Sequence, residues 1–471
     1  MNKRLFGSTG IRGRVFGSVI AASDVQFTPE TLIRLGKAWA YYNDIPAEIL
    51  SGRDPRKSSE MVQSALTAGI LAMGSDVIMH RGVIPTPALN YSCKTRKKPG
   101  VMITGSHTPP EMNALKFLAA NGAEIDAQTG EVEIEDLFFD PSFEGQDDPL
   151  SCGSIQSDDL LSPYLQYLDK NVTTDLSGLT IVLDPGNGCM GGGTINHLLS
   201  RHGVTVIAIN EIMDGRFPGR GAEPLLPESL ERLSQLVIRA GADLGVAYDS
   251  DGDRSIFVDD KGRMVWGDYT LALVAKKMLR KSNAMATPVS TAGIIEDVAE
   301  ERGFQIIWTA VGAAEVTRVC LERDLPLGGE QNGGIIFPQD NPARDGGRTT
   351  LEILKLLKEE QMPLSALVDD LPKYYITKEK IYHSEKLLTK RLDIREEIIQ
   401  RFSDYATINL DGVKLHMNDP SNTSCLMRFS LTEPIFRVFT NSKDEQTMYK
   451  RHQQCVNTVK KIIDEIETQI G

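Results

Sequence analysis

Short apolar runs alternate with amphipathic stretches along this chain, and the alternation repeats. From Ala47 to Gly82 the sequence reads AEILSGRDPRKSSEMVQSALTAGILAMGSDVIMHRG: an apolar strand, a small-residue turn, a helical periodicity, a glycine and a second apolar strand. The same order recurs as LTIVLDPGNGCMGGGTINHLLSRHGVTVIAIN from Leu179 to Asn210, and as PVSTAGIIEDVAEERGFQIIWTAVG from Pro288 to Gly312. Apolar strands joined through a helix by short loops are the pattern of right-handed βαβ units. Three such units, spaced about a domain apart, predict three related α/β domains in series.

The stretch from Phe138 to Asp159 is rich in Asp, Ser, Gly and Pro and predicts a linker. Further divisions are expected after the strand that begins at Ser255 and near Leu371–Tyr375. The remainder has a different pattern: strands around Ala406–His416 and Leu426–Thr440, then a long amphipathic helix from about Asp444. The predicted organisation is thus an α/β domain over 1–152, a second over 153–260, a third over 261–372, and a small α+β domain over 373–471.

Composition narrows the function classes. At 471 residues the chain exceeds one ordinary core, and 41% apolar with 24% charged residues is an ordinary globular balance. No apolar run approaches the ~18 residues that span a bilayer, and the opening Met1–Gly7 lacks the apolar core of a secretory signal. The six cysteines, at 93, 152, 189, 320, 425 and 455, form no C-x-x-C pair and no zinc spacing, so reduced thiols in a cytoplasmic enzyme are expected. A net charge of −13 argues against nucleic-acid binding. For an anionic substrate, such a chain must concentrate cations in its cleft.

Candidate chemistry is densest in VMITGSHTPPEMNALKF, Val101 to Phe117. An apolar strand ends at Thr104-Gly105-Ser106-His107, and two prolines prevent an immediate helix, so Ser106 lies on a rigid exposed loop where a nucleophile can reach a ligand. His107 and Lys116 are close enough to flank it with proton-transfer capacity or positive charge. An ordinary Ser-Pro loop is the alternative. In ADLGVAYDSDGDRSIFVDDKG, Asp249, Asp251 and Asp253 alternate after an apolar strand and can converge on one hard cation such as Mg²⁺. A calcium-binding EF-hand fails on Arg254 at its sixth position and Asp260 at its twelfth; a solvated acidic turn is the other alternative.

Three further segments carry weaker signals. Gly186-Asn187-Gly188-Cys189-Met190-Gly191 matches a dinucleotide fingerprint, with Glu211 some twenty residues on, but Asp184 puts a carboxylate where pyrophosphate would lie. Glycines around Glu330 and Asn332 make a turn whose polar side chains suit sugar hydroxyls. Arg428, Ser430, Thr432 and Arg437 bracket a turn between strands and offer donors to a phosphate, unless the arginines are merely structural.

The order of these segments is informative. FGSTGIRG from Phe6, TGSHTPPEMNALK from Thr104, DGRFPGRGAEP from Asp214, DSDGDRS from Asp249, GGEQNGG from Gly328 and RFSLTEPIFRV from Arg428 resemble the α-D-phosphohexomutases over nearly the whole chain. The resemblance implies three related α/β domains with mixed sheets and a C-terminal α+β domain around a central cleft. It also implies an isomerase that interconverts hexose 6-phosphate and hexose 1-phosphate through a phosphoserine and a hexose 1,6-bisphosphate. By the same resemblance Ser106 is the phosphoserine and, with Asp249, Asp251 and Asp253, a ligand of Mg²⁺. Arg12 and Lys116 stand with His107 as catalytic residues, and Arg254, Glu330, Asn332, Arg428, Ser430, Thr432 and Arg437 bind substrate.

The chain departs from the family pattern at named positions. Where many relatives read G-E-x-S-G-H, Asn332 replaces the serine and Gly334 the histidine, which favours glucosamine phosphate over glucose or mannose phosphate. Leu431 replaces the glycine of the usual S-G-T phosphate loop, and Thr108 stands where asparagine is usual. The expected partner is a small sugar phosphate, with a second copy of the chain a candidate and neither nucleic acid nor membrane implied. A catalytically silent phosphosugar-binding protein on the same scaffold is the alternative.

Overall fold

Each repeat folds as two parallel strands joined by a helix. Glu48–Arg53 pairs with Asp76–His80, Thr180–Asp184 with Thr205–Ala208, and Ala284–Pro288 with Gln305–Thr309. In all three, the first strand also pairs in parallel with a later strand, which then turns back into an antiparallel partner. The three returning turns follow Gly100–Ile103, Leu244–Tyr248 and Leu327–Gly329. Those turns contain Ser106, the three aspartates and Glu330, so the repeat puts three different chemistries at one topological position.

The computed structural model describes residues 5–7, 10–15, 25–125, 129–143, 149–430 and 434–470. The three related domains hold mixed sheets of seven, five and five strands, and the fourth a five-stranded antiparallel sheet. The first sheet takes in Ile155–Asp158 beside Asp76–His80, beyond position 152, and the second takes in Met264–Val265, beyond position 260. The strand Tyr375–Tyr382 forms the edge of the fourth sheet, and the closing helix runs Glu445–Ile470. Among the described residues, no helix is long and apolar enough to cross a membrane.

Packing divides the chain unequally. The second and third domains share one core, in which Leu183 and Val246 belong with Leu271, Ile295 and Leu354. The fourth domain keeps its own, built from Ile394, Ile398, Phe436, Val459 and Ile462. Polar contacts mark its seam with the third. Lys414 is buried with its ammonium 3.8 Å from the Trp308 ring centroid and 3.2 Å from the Thr291 carbonyl. Asn441 accepts from the Gly293 N–H, and Asn422 donates to Tyr374.

Candidate active site

The loop carrying Ser106 is held from beneath. Thr104 Oγ1 accepts from the Ser106 N–H at 2.9 Å and donates to Asp54 at 2.9 Å. Ser106 has a φ of 47°, a left-handed conformation that costs a non-glycine residue about 1–2 kcal/mol. Such strain persists only where neighbours over-determine it. Arg56 does so: its buried guanidinium donates to the carbonyls of Ser106 (2.5 Å), Thr108 (2.7 Å), Pro109 (2.6 Å) and Met112 (3.1 Å), and its Nε pairs with Asp54 at 3.0 Å. A Cβ on Gly105 would lie 2.6 Å from that guanidinium, so the loop needs glycine there. The second domain closes over the same group, with Phe217 stacked on Arg56 at 4.9 Å and Ser250 Oγ donating to the Ser106 carbonyl at 2.7 Å.

The sequence reading did not single out Arg56; its signal was the Asp54-Pro55-Arg56 turn directly after a repeat strand. Arg56→Ala leaves the buried Asp54 carboxylate uncompensated and is expected to cost about 3–5 kcal/mol of stability. Arg56→Lys keeps the charge but cannot serve five acceptors. It is expected to lower kcat by about 10²-fold with KM little changed, because a loop displaced by an ångström misaligns the nucleophile. Urea unfolding and steady-state kinetics on both variants check this.

The aspartate loop faces Ser106. Ser106 Oγ donates to Asp249 Oδ2 at 2.9 Å, and Arg254 Nε donates to the same oxygen at 3.0 Å. Among the described residues, Asp249, Asp251 and Asp253 form a buried group whose ligand atoms lie within 4.8 Å of one another. Asp251 Oδ1 and Asp253 Oδ1 are buried with no hydrogen-bond partner. Unpartnered carboxylate oxygens at such depth are costly, and a hard divalent cation satisfies them; the residues present therefore fit a metal. Burial and the neighbouring Asp253 raise the Asp249 carboxyl. Burial alone would raise Asp253 too, but Arg344, Lys116 and Arg254 outweigh it and hold that carboxyl low. Thr86, which opens a helix of the first domain, orients Asp251 by donating to Oδ2 at 2.6 Å.

Register explains how two cations arrive beside this loop. On the sheet, Lys116 lies opposite Met102, and Ala114 opposite Arg12, so the two-residue period sets Lys116 and Arg12 on neighbouring strands. Lys116 Nζ donates to Asp251 at 2.7 Å and to Asp253 at 2.9 Å. Burial would lower its pKa, but the two aspartates more than reverse that, so Lys116 stays protonated. Burial, Arg254 and Arg344 act to lower Arg12. His107 Nδ1 lies 3.4 Å from Ser106 Oγ; burial and then Arg254, Arg12 and Arg344 push its imidazole down to about 2, so it is neutral near pH 7.

The third and fourth domains supply the far wall. Glu330 is buried, and Asn332 donates to its Oε2 at 3.3 Å. In the fourth sheet Arg428 lies directly opposite Arg437. Like charges in cross-strand register repel, which suits an anion between them. Asp411 contacts Arg428 at 2.9 Å, and the Ser430 N–H donates to the Ile435 carbonyl at 2.8 Å. Thr432 and Leu431 fall outside the described residues. A cavity of about 470 Å³ is lined by Arg12, Ser106, His107, Lys116, Glu330, Asn332, Arg344, Arg428, Ser430 and Arg437, which brings most of the predicted residues to one space. Arg254 stands behind it, paired with Asp249, with its Nη2 buried and without a hydrogen-bond partner. The cleft is cationic in an acidic chain.

The glycine-rich turn at Gly186 serves the aspartate loop. The Cys189 N–H donates to the Ser250 carbonyl at 2.8 Å. Asp184 is committed to the Gly186 N–H, to Asn210 and to Arg220, so a carboxylate takes up the Gly186 N–H at the turn.

Comparison with known proteins agrees with this geometry. Residues 3–144, 162–262 and 266–375 match the domains described as phosphoglucomutase/phosphomannomutase, alpha/beta/alpha domains I, II and III. The chain is 34% identical over 457 residues to a phosphoglucomutase/phosphomannomutase of Thermococcus kodakarensis, covering 94% of this chain and 95% of that protein. It is 32% identical over 476 residues to a phosphoglucosamine/phosphogalactosamine mutase of Sulfurisphaera tokodaii, covering 98% and 99%. A crystal structure of a phosphoglucomutase/phosphomannomutase family protein from Burkholderia thailandensis shares the fold, with a TM-score of 0.83, 22% identity and 98% of each chain covered. Serine loop, aspartate loop, the turn at Glu330 and paired arginines thus occur on a scaffold matched over 94% of its length by a relative 34% identical: the chain belongs to the α-D-phosphohexomutase family.

Proposed function

We propose that this phosphohexomutase moves a phosphoryl group between the C1 and C6 oxygens of a hexose through phosphorylated Ser106, with glucosamine phosphate as its preferred sugar. One observation carries the reading: Ser106, Glu330, Asn332 and the Arg428–Arg437 pair line one cavity. A nucleophile, a phosphate grip and partners for hydroxyls in one cavity suit a sugar with a phosphate at either end. Asn332 in place of the usual serine is the basis for the amino sugar. The six free cysteines, five of them buried, fit a cytoplasmic enzyme.

Asp249, Asp251 and Asp253, with the Ser106 oxygen, would hold Mg²⁺. Bound there, the cation offsets negative charge on the transferring oxygens. Arg428 and Arg437 hold the phosphate that is not reacting, while Glu330 and Asn332 accept from or donate to sugar hydroxyls. The Ser106 Oγ–P bond breaks as a sugar O–P bond forms, giving the 1,6-bisphosphate. The proton lost by the sugar hydroxyl balances the one that Ser106 Oγ regains, and protonated Lys116 and Arg12 stabilise the charge between them. The bisphosphate then turns, and its other phosphoryl group returns to Ser106. A neutral His107 orients the serine oxygen without competing for the charge.

The test is kcat/KM for the 1-phosphates of glucosamine, glucose, mannose and N-acetylglucosamine, each with a trace of the matching 1,6-bisphosphate. Turnover highest with glucosamine 1-phosphate is expected. Turnover of none, with tight phosphosugar binding, would make the chain a silent binding protein.

A further inference from the structure

Arg344 was not among the residues suggested by the sequence, yet it stands at the centre of the site. It ends the strand Asn341–Arg344, opposite Ile336. Its guanidinium is buried and bridges two loops: Nη2 donates to Asp253 Oδ2 at 2.5 Å, and Nη1 to Glu330 Oε2 at 3.3 Å. Its chain fills the space beside Gly334, where a Cβ would lie 2.2 Å from Arg344 Cδ and 2.9 Å from Cγ. Any side chain at 334 therefore excludes Arg344 from its present path. The Gly334 N–H is itself held by Asn332 Oδ1 at 3.0 Å, so the turn cannot simply back away.

Two consequences meet at Glu330. Its Oε2 receives both Arg344 and Asn332, so the carboxylate that faces the sugar is already paired with a permanent cation. A paired carboxylate still accepts hydrogen bonds from hydroxyls, but its pull on a positively charged ligand group is reduced. At its other prong Arg344 ties this carboxylate to the aspartate loop, so sugar recognition and the reacting end share one side chain.

We propose that Arg344, admitted by Gly334, is a specificity-determining residue that sets how strongly the site distinguishes a cationic amino sugar from a neutral hexose. The proposal rests on the phosphohexomutase reading and extends it to a residue pair. Removing the guanidinium leaves the Glu330 carboxylate with the Asn332 amide but without this cation, which attracts the ammonium of glucosamine phosphate and does nothing for the hydroxyl of glucose phosphate.

The experiment measures kcat/KM for glucosamine 1-phosphate and glucose 1-phosphate in wild type, Arg344→Ala, Arg344→Lys, Gly334→Ala and the Gly334→Ala/Arg344→Ala double variant. Both values fall in Arg344→Ala, but their ratio moves toward glucosamine by about tenfold, as expected for one uncompensated charge a few ångströms away in a partly buried site. Gly334→Ala moves the ratio in the same direction, and the double variant moves it no further, because the two changes remove one interaction. Arg344→Lys, which keeps the charge, holds the ratio near wild type. An unchanged ratio in both Arg344→Ala and Gly334→Ala, or additive shifts in the double variant, overturns the proposal. Should Arg344→Ala fail to fold, Gly334→Ala and Arg344→Lys decide by the same ratio. Absence of turnover in wild type with either sugar would defeat the functional reading instead, so the two failures are distinct.

Discussion

Ser106→Ala is expected to be a folded protein without mutase turnover. The loop is held through the backbone of residue 106 and not through its hydroxyl: Arg56 and Ser250 bond its carbonyl, and Thr104 bonds its N–H. The hydroxyl itself reaches Asp249 and His107. Asp249 keeps the Arg254 N–H and guanidinium when that contact is lost. A hydrogen bond to a carboxylate is worth about 1.5–3 kcal/mol, so unfolding should shift by no more than that. On the proposed covalent route chemistry has no such reserve, because Ser106 Oγ is the proposed phosphoryl acceptor. Intact-mass spectrometry should show a phosphoryl group on wild type and none at this position in the variant. Substantial turnover in a homogeneous Ser106→Ala preparation would rule out the covalent route.

Asp251→Asn should lower metal affinity and rate together. A neutral amide is a poor ligand for a hard cation, and losing a direct ligand is expected to raise the Mg²⁺ requirement by at least about 10–100-fold. The substitution also disturbs two groups already aimed at Oδ2, the Thr86 hydroxyl and the Lys116 ammonium. An amide nitrogen placed there would oppose donors with a donor. Activity against Mg²⁺ concentration is one readout. The Mg²⁺-induced rise in melting temperature is the second, since it reports binding without turnover. Superimposable curves for variant and wild type would make the three aspartates a structural turn.

Local pattern carried the parts of the fold that lie close together in the chain. The βαβ repeats were legible because strand, helix and strand are consecutive, and Ser106 and the three aspartates because each group sits in one loop after one apolar strand. The strands Ile155–Asp158 and Tyr375–Tyr382 were not legible. The first is exposed along its length; the second alternates in burial, but Thr377 and Glu379 stand at its less exposed positions and Ile376 and Tyr382 at its exposed ones, so its residue types do not alternate with it. The supporting residues were hidden for a different reason. Arg56 meets the Ser106 carbonyl across 50 positions, Arg344 meets Asp253 across 91, and Thr86 meets Asp251 across 165. The first of these contacts exists only once its domain has folded and the other two only after the domains assemble, and an arginine or threonine read in isolation carries no sign of them.

The separate core of the fourth domain bears on timing. A seam built from hydrogen bonds and a buried ammonium can trade its contacts for water at small net cost, whereas parting the shared core of the second and third domains would expose apolar surface. The Arg428–Arg437 pair, proposed to hold the remote phosphate, therefore sits on a domain with its own core that meets the third domain through polar contacts. On the proposed route, a bisphosphate that turns end over end would need this domain to yield and return faster than the molecule diffuses away. On the proposed route, retention of the intermediate would then depend on these polar contacts, at a distance from the bonds that break and form.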